Sequence, residues 1–137
     1  MHTSSLCKRI RAAKHIYVVG NGGSYANAMH ICNDLLSVGV KAYCMDPSIL
    51  TAFANDHSYA DCFSMWLAVV GEAGDMLIAL SGSGKSENIL RAIDQANIIG
   101  MDVEAVFGAP KYDMQSAEEH QIVLGHELML ELKRERS

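Results

Sequence analysis

Short apolar segments alternate with longer amphipathic stretches along most of this chain, and this alternation constrains its fold more than any other feature. Strands are predicted at Ile16–Val19, Lys41–Met45, Met76–Leu80 and Val103–Phe107. A helix is predicted before the first strand at Thr3–Lys14, and helices are predicted between the strands at Ser24–Leu36, Ser48–Ala54, Ser58–Val70 and Glu87–Ile99. Continuous apolar strands separated by helices are typical of a parallel sheet covered on both faces. The sequence therefore predicts an α/β domain.

The tail after Pro110 leaves two interpretations open. In the first, Gln121–Leu124 is a fifth strand and a final helix runs from His126 to Arg134. In the second, one longer helix runs from Met114 to Arg134, with a stripe formed by Leu124, Leu128 and Leu132.

Size, charge and cysteine content limit the classes of function. The 137 residues form one domain of ordinary size, and the net charge of −5 argues against nucleic acid or an anionic membrane as a partner. No apolar run reaches the roughly 20 residues that a membrane span needs, and no secretory signal is evident, so we expect a cytoplasmic protein. The four cysteines form no C-x-x-C pair, so they do not suggest a zinc knuckle.

Two loops rich in glycine and serine follow the first and third predicted strands. The first is Gly20-Asn21-Gly22-Gly23-Ser24, and Ser24 is placed to cap the helix that follows. The second is Ser81-Gly82-Ser83-Gly84-Lys85-Ser86. Glycines let backbone N–H groups approach a ligand, and a helix N-terminus attracts anions. Because the carboxyl ends of parallel strands share one edge of the sheet, the loops are expected to meet there and to bind a phosphate monoester.

Nucleotide binding is a second interpretation of these loops. Ala79, four residues and Gly84-Lys85-Ser86 satisfy a loose form of the nucleotide-binding P-loop, but the stricter pattern has glycine at the first position. A dinucleotide site at the first loop would need glycine where Tyr25 stands. We therefore favour a phosphate monoester over either nucleotide class.

The motifs resemble those of the sugar isomerase (SIS) domain family, and within it the phosphoheptose isomerases. The resemblance rests on the first loop with Ala28-Met29-His30, on Asn55-Asp56 followed by Asp61 and Phe63, and on the second loop. It implies a three-layer α/β/α sandwich with a doubly wound, flavodoxin-like parallel sheet. It also implies one SIS domain over residues 1–137, short at its N-terminus and in its C-terminal region relative to the family.

The resemblance further implies isomerisation of sedoheptulose 7-phosphate to D-glycero-D-manno-heptose 7-phosphate through an enediol, for surface polysaccharide. Asp34, where the family has Glu, would be the base and His126 the second catalytic residue, with His120 as a weaker candidate for that role. The implied substrate-binding residues are Asn21, Gly22, Gly23, Ser24, Asn55, Asp56, Ser81, Gly82, Ser83 and Ser86. Zinc would be held by His30, Asp34 and His126, without an organic cofactor, in a homo-oligomer (a dimer or tetramer).

A non-catalytic module that binds sugar phosphates or regulates another protein is the alternative from a different class. The Asp at position 34 and the shortened ends favour it, whereas His30 and the nearly complete motifs favour the enzyme. Glu118 lies eight residues before His126, at the spacing of a family Gln, and this correspondence holds only if the tail is one continuous helix.

Overall fold

The computed structural model describes residues 3–108 and 113–136, and within them it shows four parallel strands and six helices. The strands are β1 (Ile16–Val19), β2 (Ala42–Cys44), β3 (Met76–Ser81) and β4 (Asp102–Phe107). The helices are α1 (Thr3–Ala12), α2 (Gly23–Ser37), α3 (Pro47–Asp56), α4 (Cys62–Val70), α5 (Glu87–Ile99) and α6 (Met114–Arg136). Each predicted strand is confirmed, with bounds that shift by at most one residue.

The sheet has the order β2-β1-β3-β4, and all its neighbours are parallel. The two central strands are apolar because they are covered on both faces: every residue of β1 and β3 is buried. Val19 pairs with Ala79 at the carboxyl end of these strands. The loops that follow β1 and β3 therefore start side by side.

Two hydrophobic clusters, one on each face of the sheet, complete a three-layer sandwich. One joins α1, α2 and α6 to the sheet through residues such as Ile10, Ile31 and Leu128. The other joins α4 and α5 to the opposite face through residues such as Phe63 and Ile89. The predicted three-layer, flavodoxin-like architecture is confirmed. No helix in the described part of the chain has the length and apolar character required to cross a membrane.

The structure decides between the two interpretations of the tail. Residues 114–136 form the single helix α6, and its buried residues Leu128 and Leu132 pack in the same cluster as α2. A fifth strand at Gln121–Leu124 is therefore wrong. Pro110, at which the tail was predicted to begin, lies outside the described residues.

Two predicted helix starts are also wrong, for local reasons. Ser24 does not cap α2: the helix begins at Gly23 after Gly22, whose φ of 54° and ψ of −121° form a turn that favours glycine. Ser58 does not begin α4, because its hydroxyl accepts the backbone N–H of Asp61 and donates to the Asp61 carboxylate. These side-chain hydrogen bonds close a turn, and α4 begins only at Cys62.

Candidate active site

The loops after β1 and β3 meet at the carboxyl edge of the sheet, as predicted. The side-chain amides of Asn21 and Asn88 join them reciprocally, with N···O distances of 2.8 and 2.9 Å. A cavity of about 70 Å³ lies between the loops. It is lined by Asn21, Ser24, Leu80, Ser81, Gly82, Ser83, Ser86 and Met114. This cavity is too small for a whole sugar phosphate, so only one end of such a ligand fits inside it.

Three serine hydroxyls of the second loop converge on this cavity. Ser81 Oγ lies 3.5 Å from Ser83 Oγ and 3.3 Å from Ser86 Oγ, and it accepts the backbone N–H of Gly84 at 3.0 Å. Gly84 has a φ of +69°, a conformation that favours glycine and curls the loop around the Ser81 hydroxyl.

The second loop leads directly into α5. Ser86 is the N-cap residue of this helix, yet its hydroxyl caps no backbone N–H. Apart from its 3.3 Å contact with Ser81 Oγ, the Ser86 hydroxyl has no partner among the described residues, so it and the unbonded N–H groups at the start of α5 are available to a ligand. Such an arrangement suits the acceptor oxygens of a phosphate monoester.

The first loop places Gly23 against α6. A Cβ atom at Gly23 would collide with the carboxylate of Glu118, whereas a Cβ at Gly22 would point into open space. Glu118 therefore reaches the N-terminus of α2. Glu118 can correspond to the family Gln only if the tail is one continuous helix, and α6 is continuous over both Glu118 and His126.

A second cluster is formed where α6 crosses α2. His30 Nε2 and His126 Nε2 are 3.0 Å apart, and they lie 3.5 and 3.9 Å from Asp34 Oδ2. Both histidine side chains are 44–47% exposed, whereas the Asp34 side chain is 9% exposed. Asp34 Oδ2 is buried without a hydrogen-bond partner among the described residues. Because such an oxygen is costly to bury, its presence requires a functional explanation.

The close approach of the two helices depends on Gly125. A Cβ atom at this position would lie 2.8 Å from Ile31 Cγ1 and 3.8 Å from Asp34 Oδ2. The glycine thereby lets α6 approach α2 beside the cluster and brings His126 close to Asp34.

The His30–Asp34–His126 cluster fits a metal ion. One ligand atom from each residue lies within 4.8 Å of the others. Two imidazoles and one carboxylate are ligands that zinc accepts in catalytic sites, and the unpartnered Asp34 Oδ2 is an oxygen that a cation would satisfy.

A similar group, formed by His15, Glu72 and Asp75, lies at the opposite end of the strands. There, Asp75 already accepts from the backbone N–H of Glu72 at 2.9 Å and lies 2.9 Å from His15 Nδ1. Both of its oxygens are therefore occupied by the protein. A groove of about 470 Å³ lined by Ile10, Lys14 and Val40 contains none of the predicted site residues.

Asn55 and Asp56 line neither the cavity between the loops nor the His30–Asp34–His126 cluster. Both are exposed at the end of α3, and no hydrogen bond or ion pair joins either residue to the two loops within the described ranges 3–108 and 113–136. The segment that follows does reach the site, because Tyr59 donates its hydroxyl to Asn21 Oδ1 at 2.7 Å.

The segment between α3 and α4 is also fixed to α5 by charge. Arg91 Nη1 lies 2.6 Å from Asp61 Oδ1, and this guanidinium holds the pKa of Asp61 below its usual range. Arg91 Nη2 lies 2.6 Å from Oε1 of Glu87, which is in the first turn of α5. Asp61, which the motif analysis singled out, therefore anchors this segment.

Sequence reasoning missed three buried polar residues that join the elements of the site: Asn27, Asn88 and Gln121. Gln121 Nε2 donates to Ser24 Oγ at 3.0 Å, and its Oε1 accepts from Asn27 Nδ2 at 2.8 Å. A signal for Gln121 was present, because it falls seven residues before Leu128, on the apolar stripe of α6.

Comparison with known proteins agrees with this geometry. The phosphoheptose isomerase of Coxiella burnetii (strain Dugway 5J108-111) is 46% identical over 97 residues, which are 65% of this chain and 49% of that protein. The phosphoheptose isomerase of Thermodesulfovibrio yellowstonii is 31% identical over 144 residues, covering 88% of this chain and 72% of that protein. The chain thus spans about half the length of the Coxiella relative.

Solved structures show the same likeness. The phosphoheptose isomerase GmhA from Neisseria gonorrhoeae superposes with a TM-score of 0.88 at 26% identity, covering 96% of this chain and 83% of that one. The resemblance to phosphoheptose isomerases predicted from the three sequence motifs is confirmed. The family model of the SIS domain matches residues 3–108, so the chain belongs to the SIS domain family.

Proposed function

We propose that this protein is a sugar-phosphate isomerase that converts sedoheptulose 7-phosphate to D-glycero-D-manno-heptose 7-phosphate. The observation that carries the proposal is the pairing of a hydroxyl-lined cavity with a carboxylate–imidazole cluster across α2 and α6. Relatives named phosphoheptose isomerase support this choice of substrate. Because the family model spans both loops, it favours a sugar phosphate over a nucleotide.

The phosphate of the open-chain sugar would be held by the hydroxyls of Ser81, Ser83 and Ser86 and by the N-terminus of α5. These donors fit a dianion, and binding at the phosphate fixes the distance to the reacting carbons. Asn21 and Ser24 also line this cavity, and they would contact the sugar. Asn55 and Asp56 would have to approach the ligand from the end of α3.

Isomerisation would begin when the Asp34 carboxylate removes a proton from C1. His126 donates a proton to the oxygen on C2 as the carbonyl is lost, and a neutral enediol results. Asp34 then returns its proton to C2, and His126 takes the proton from the oxygen on C1, which leaves an aldehyde there. Both side chains end the cycle in their starting protonation states.

His30, Asp34 and His126 would hold the metal if one is used. A bound Zn²⁺ would occupy the Nε2 atom of His126, so it would replace the proton of that imidazole in polarising the sugar oxygens and stabilising negative charge on them. His30 has a role with or without the ion, because its ring packs edge to face on His126 with centroids 5.1 Å apart. It thereby restricts the orientation of the His126 imidazole.

We propose that the protein works as a homo-oligomer, either a dimer or a tetramer. Met29 and Leu36 on α2, and Val123 and Leu130 on α6, are exposed large apolar residues on the two helices that carry the cluster. A second copy that covers these residues would also shield the exposed histidines from water. Light scattering of the purified protein tests this proposal, and a monomeric mass at micromolar concentration contradicts it.

The deciding experiment is an isomerase assay in D₂O with sedoheptulose 7-phosphate. We expect turnover with deuterium at C2 of the aldose, because the enediol takes its proton from a group that exchanges with solvent. Asp34→Asn and His126→Ala should each lower kcat by about 100-fold or more. Asp94→Asn, at an exposed residue, is the matched control for Asp34 and should retain activity. His120→Ala tests the weaker candidate for the role of His126, and it should also retain activity because His120 is exposed and is not part of the cluster.

The competing function is a non-catalytic sugar-phosphate-binding module, which the shorter Asp at position 34 favours. It predicts tight binding of sedoheptulose 7-phosphate without turnover or deuterium incorporation. Equal turnover in the parent, Asp34→Asn and His126→Ala would instead refute the assigned catalytic roles.

A further inference from the structure

We propose that Gln121 is a positioning residue that fixes the Ser24 hydroxyl as a hydrogen-bond donor toward the ligand cavity. The cavity would then accept only a ligand that presents an acceptor oxygen to Ser24, such as a phosphate or carbonyl oxygen. The inference rests on the proposed function in taking this ligand to be a phosphorylated sugar.

Gln121 is a polar side chain in an apolar setting. It is 1% exposed because it lies on the face of α6 that packs in the core. Because burying an amide without hydrogen-bond partners is costly, the groups around Gln121 must satisfy its donor and its acceptor. Gln121 Nε2 lies 3.0 Å from Ser24 Oγ, and Gln121 Oε1 lies 2.8 Å from Asn27 Nδ2.

A backbone carbonyl fixes the direction of these hydrogen bonds. Asn27 Nδ2 lies 2.9 Å from the carbonyl oxygen of Glu118, which can only accept. The NH₂ group of Asn27 must therefore point to Glu118, and its second hydrogen reaches Gln121. Gln121 must in turn present its oxygen to Asn27 and its NH₂ group to Ser24.

The orientation of the Gln121 amide determines the hydrogen bonding of the Ser24 hydroxyl. Its oxygen accepts from Gln121, so its hydrogen is left to donate elsewhere. No hydrogen bond donated by Ser24 Oγ to another group is present within residues 3–108 and 113–136, and Ser24 lines the cavity with Ser81 and Ser86. The series of hydrogen bonds from Asn27 through Gln121 to Ser24 therefore leaves the Ser24 hydroxyl hydrogen to donate to a ligand in the cavity.

The same hydrogen bonds connect the two parts of the site. Gln121 lies five residues before His126 on α6, and Ser24 and Asn27 lie in the first turns of the helix that carries Asp34. A shift of α6 along α2 would break the bond to Ser24. Gln121 therefore couples the hydroxyl in the phosphate cavity to the placement of His126.

The direction of the amide can be tested in the protein without ligand. Nuclear Overhauser effects from the Gln121 side-chain NH₂ protons should reach the Ser24 β protons, and these NH₂ protons should exchange slowly with water. Effects from the same protons to the Asn27 NH₂ group, with none to Ser24, would show a flipped amide and overturn the proposal.

The effect on the ligand is tested by calorimetric titration with sedoheptulose 7-phosphate. Gln121→Met keeps the size of the side chain but removes the donor, and we expect an affinity about 10- to 100-fold lower. Gln121→Glu presents an acceptor to Ser24 and should weaken binding at least as much as Ser24→Ala. The exposed residue Gln115 on the same helix supplies the control Gln115→Met, which should bind like the parent.

A double variant separates a positioning role from a purely structural one. If Gln121 acts through Ser24, the variant that combines Ser24→Ala and Gln121→Met should bind no more weakly than Ser24→Ala alone. A Gln121→Met protein with a lower melting temperature and unchanged affinity would overturn the proposal. A parent protein that binds no sugar phosphate would refute the proposed function and the ligand-directed part of this inference, whereas the amide direction is decided by the spectra.

Discussion

The imidazoles of His30 and His126 meet with their Nε2 atoms 3.0 Å apart, and both atoms lie within 4 Å of Asp34 Oδ2. Two ring nitrogens on different helices are thus directed at one carboxylate oxygen that has no hydrogen-bond partner among the described residues. A cation between them would replace a poorly satisfied contact with three metal–ligand bonds. This arrangement leads to the first prediction.

The protein should bind one Zn²⁺ or Co²⁺ ion per chain at the His30–Asp34–His126 cluster. His30→Ala and His126→Ala should each weaken binding by about 10- to 100-fold, since each removes one of three ligands. Binding should also weaken as the pH is lowered, because protons compete for the imidazole nitrogens. Titration with Co²⁺, followed by its visible absorption, measures both effects.

The exposed His120 lies on the same helix as His126 and provides the control. His120→Ala should bind cobalt like the parent protein. Equal loss of affinity in His120→Ala and His126→Ala would place the metal elsewhere.

Gly125→Ala should destabilise the protein, although an alanine normally stabilises an exposed helix by about 1 kcal/mol relative to glycine. The added Cβ would lie 2.8 Å from Ile31 Cγ1, so α6 would have to move away from α2. We expect the free energy of unfolding to fall by about 1–3 kcal/mol, as in other overpacked cores. Urea denaturation measures this change.

The displacement of α6 in Gly125→Ala should also separate His126 from Asp34. Cobalt affinity should therefore fall together with stability, whereas Gln115→Ala, at an exposed position of α6, should change neither. A Gly125→Ala protein that is more stable than the parent would show that the helices do not pack as closely as described.

Local patterns were sufficient to predict the layers and the edge of the sheet at which the two loops meet. The apolar runs of β1 and β3 are too continuous for an exposed strand, and the order of strands and helices placed both loops at one edge. The choice between a strand and a helix at Gln121–Leu124 was not local. It depends on the packing of Leu128 and Leu132 against α2, which only the folded chain shows.

The parts of the site that could not be predicted involve residues far apart in sequence. Asn27 and Gln121 are separated by 94 positions, and their pairing depends on the depth and register at which α6 docks on α2. The start of α2 was misplaced because a serine before a helical pattern usually caps it, whereas here the Gly22 turn begins the helix one residue earlier. The Ser24 hydroxyl therefore does not cap α2 but accepts from Gln121, and Ser24 lines the cavity.

Ser83→Ala should weaken the binding of sedoheptulose 7-phosphate by about 10-fold or more, because it removes one hydroxyl donor to a dianion. Ser83 is exposed. Among the described residues its hydroxyl has two contacts, both within the loop: it accepts the backbone N–H of Lys85 and lies 3.5 Å from Ser81 Oγ. The loss of stability should therefore be small. Thermal shift with and without ligand separates the two effects.

Ser5 is an exposed serine on α1 and supplies the control for Ser83. Ser5→Ala should show the parent's ligand-induced rise in melting temperature. Retention of the full rise by Ser83→Ala would contradict a role for its hydroxyl in phosphate binding.

Arg9 should stabilise the protein in a manner that depends on pH. Its guanidinium donates two hydrogen bonds of 2.9 Å to the Asp102 carboxylate and one of 2.6 Å to Glu104, on the edge strand β4. These bonds hold the pKa of Asp102 below its ordinary value. The side chains of Arg9 and Asp102 are 34% and 48% exposed, so solvent reduces the contribution of this ion pair to the free energy of unfolding to about 1 kcal/mol at pH 7.

The sign of the pH dependence follows from the lowered pKa of Asp102. The stabilisation is fully present above the pKa of an aspartate in the unfolded chain, about 3.9, and is lost as the pH falls through the lower pKa of the folded state. Arg9→Met should therefore be less stable than the parent at pH 7, and the difference should shrink below about pH 4. Lys8→Met, which removes an exposed charge from the same helix, is the control. A difference between Arg9→Met and the parent that stays constant from pH 7 to pH 3 would mean that Arg9 stabilises the protein by packing and by its 2.9 Å hydrogen bond to the Val103 carbonyl, not through these carboxylates.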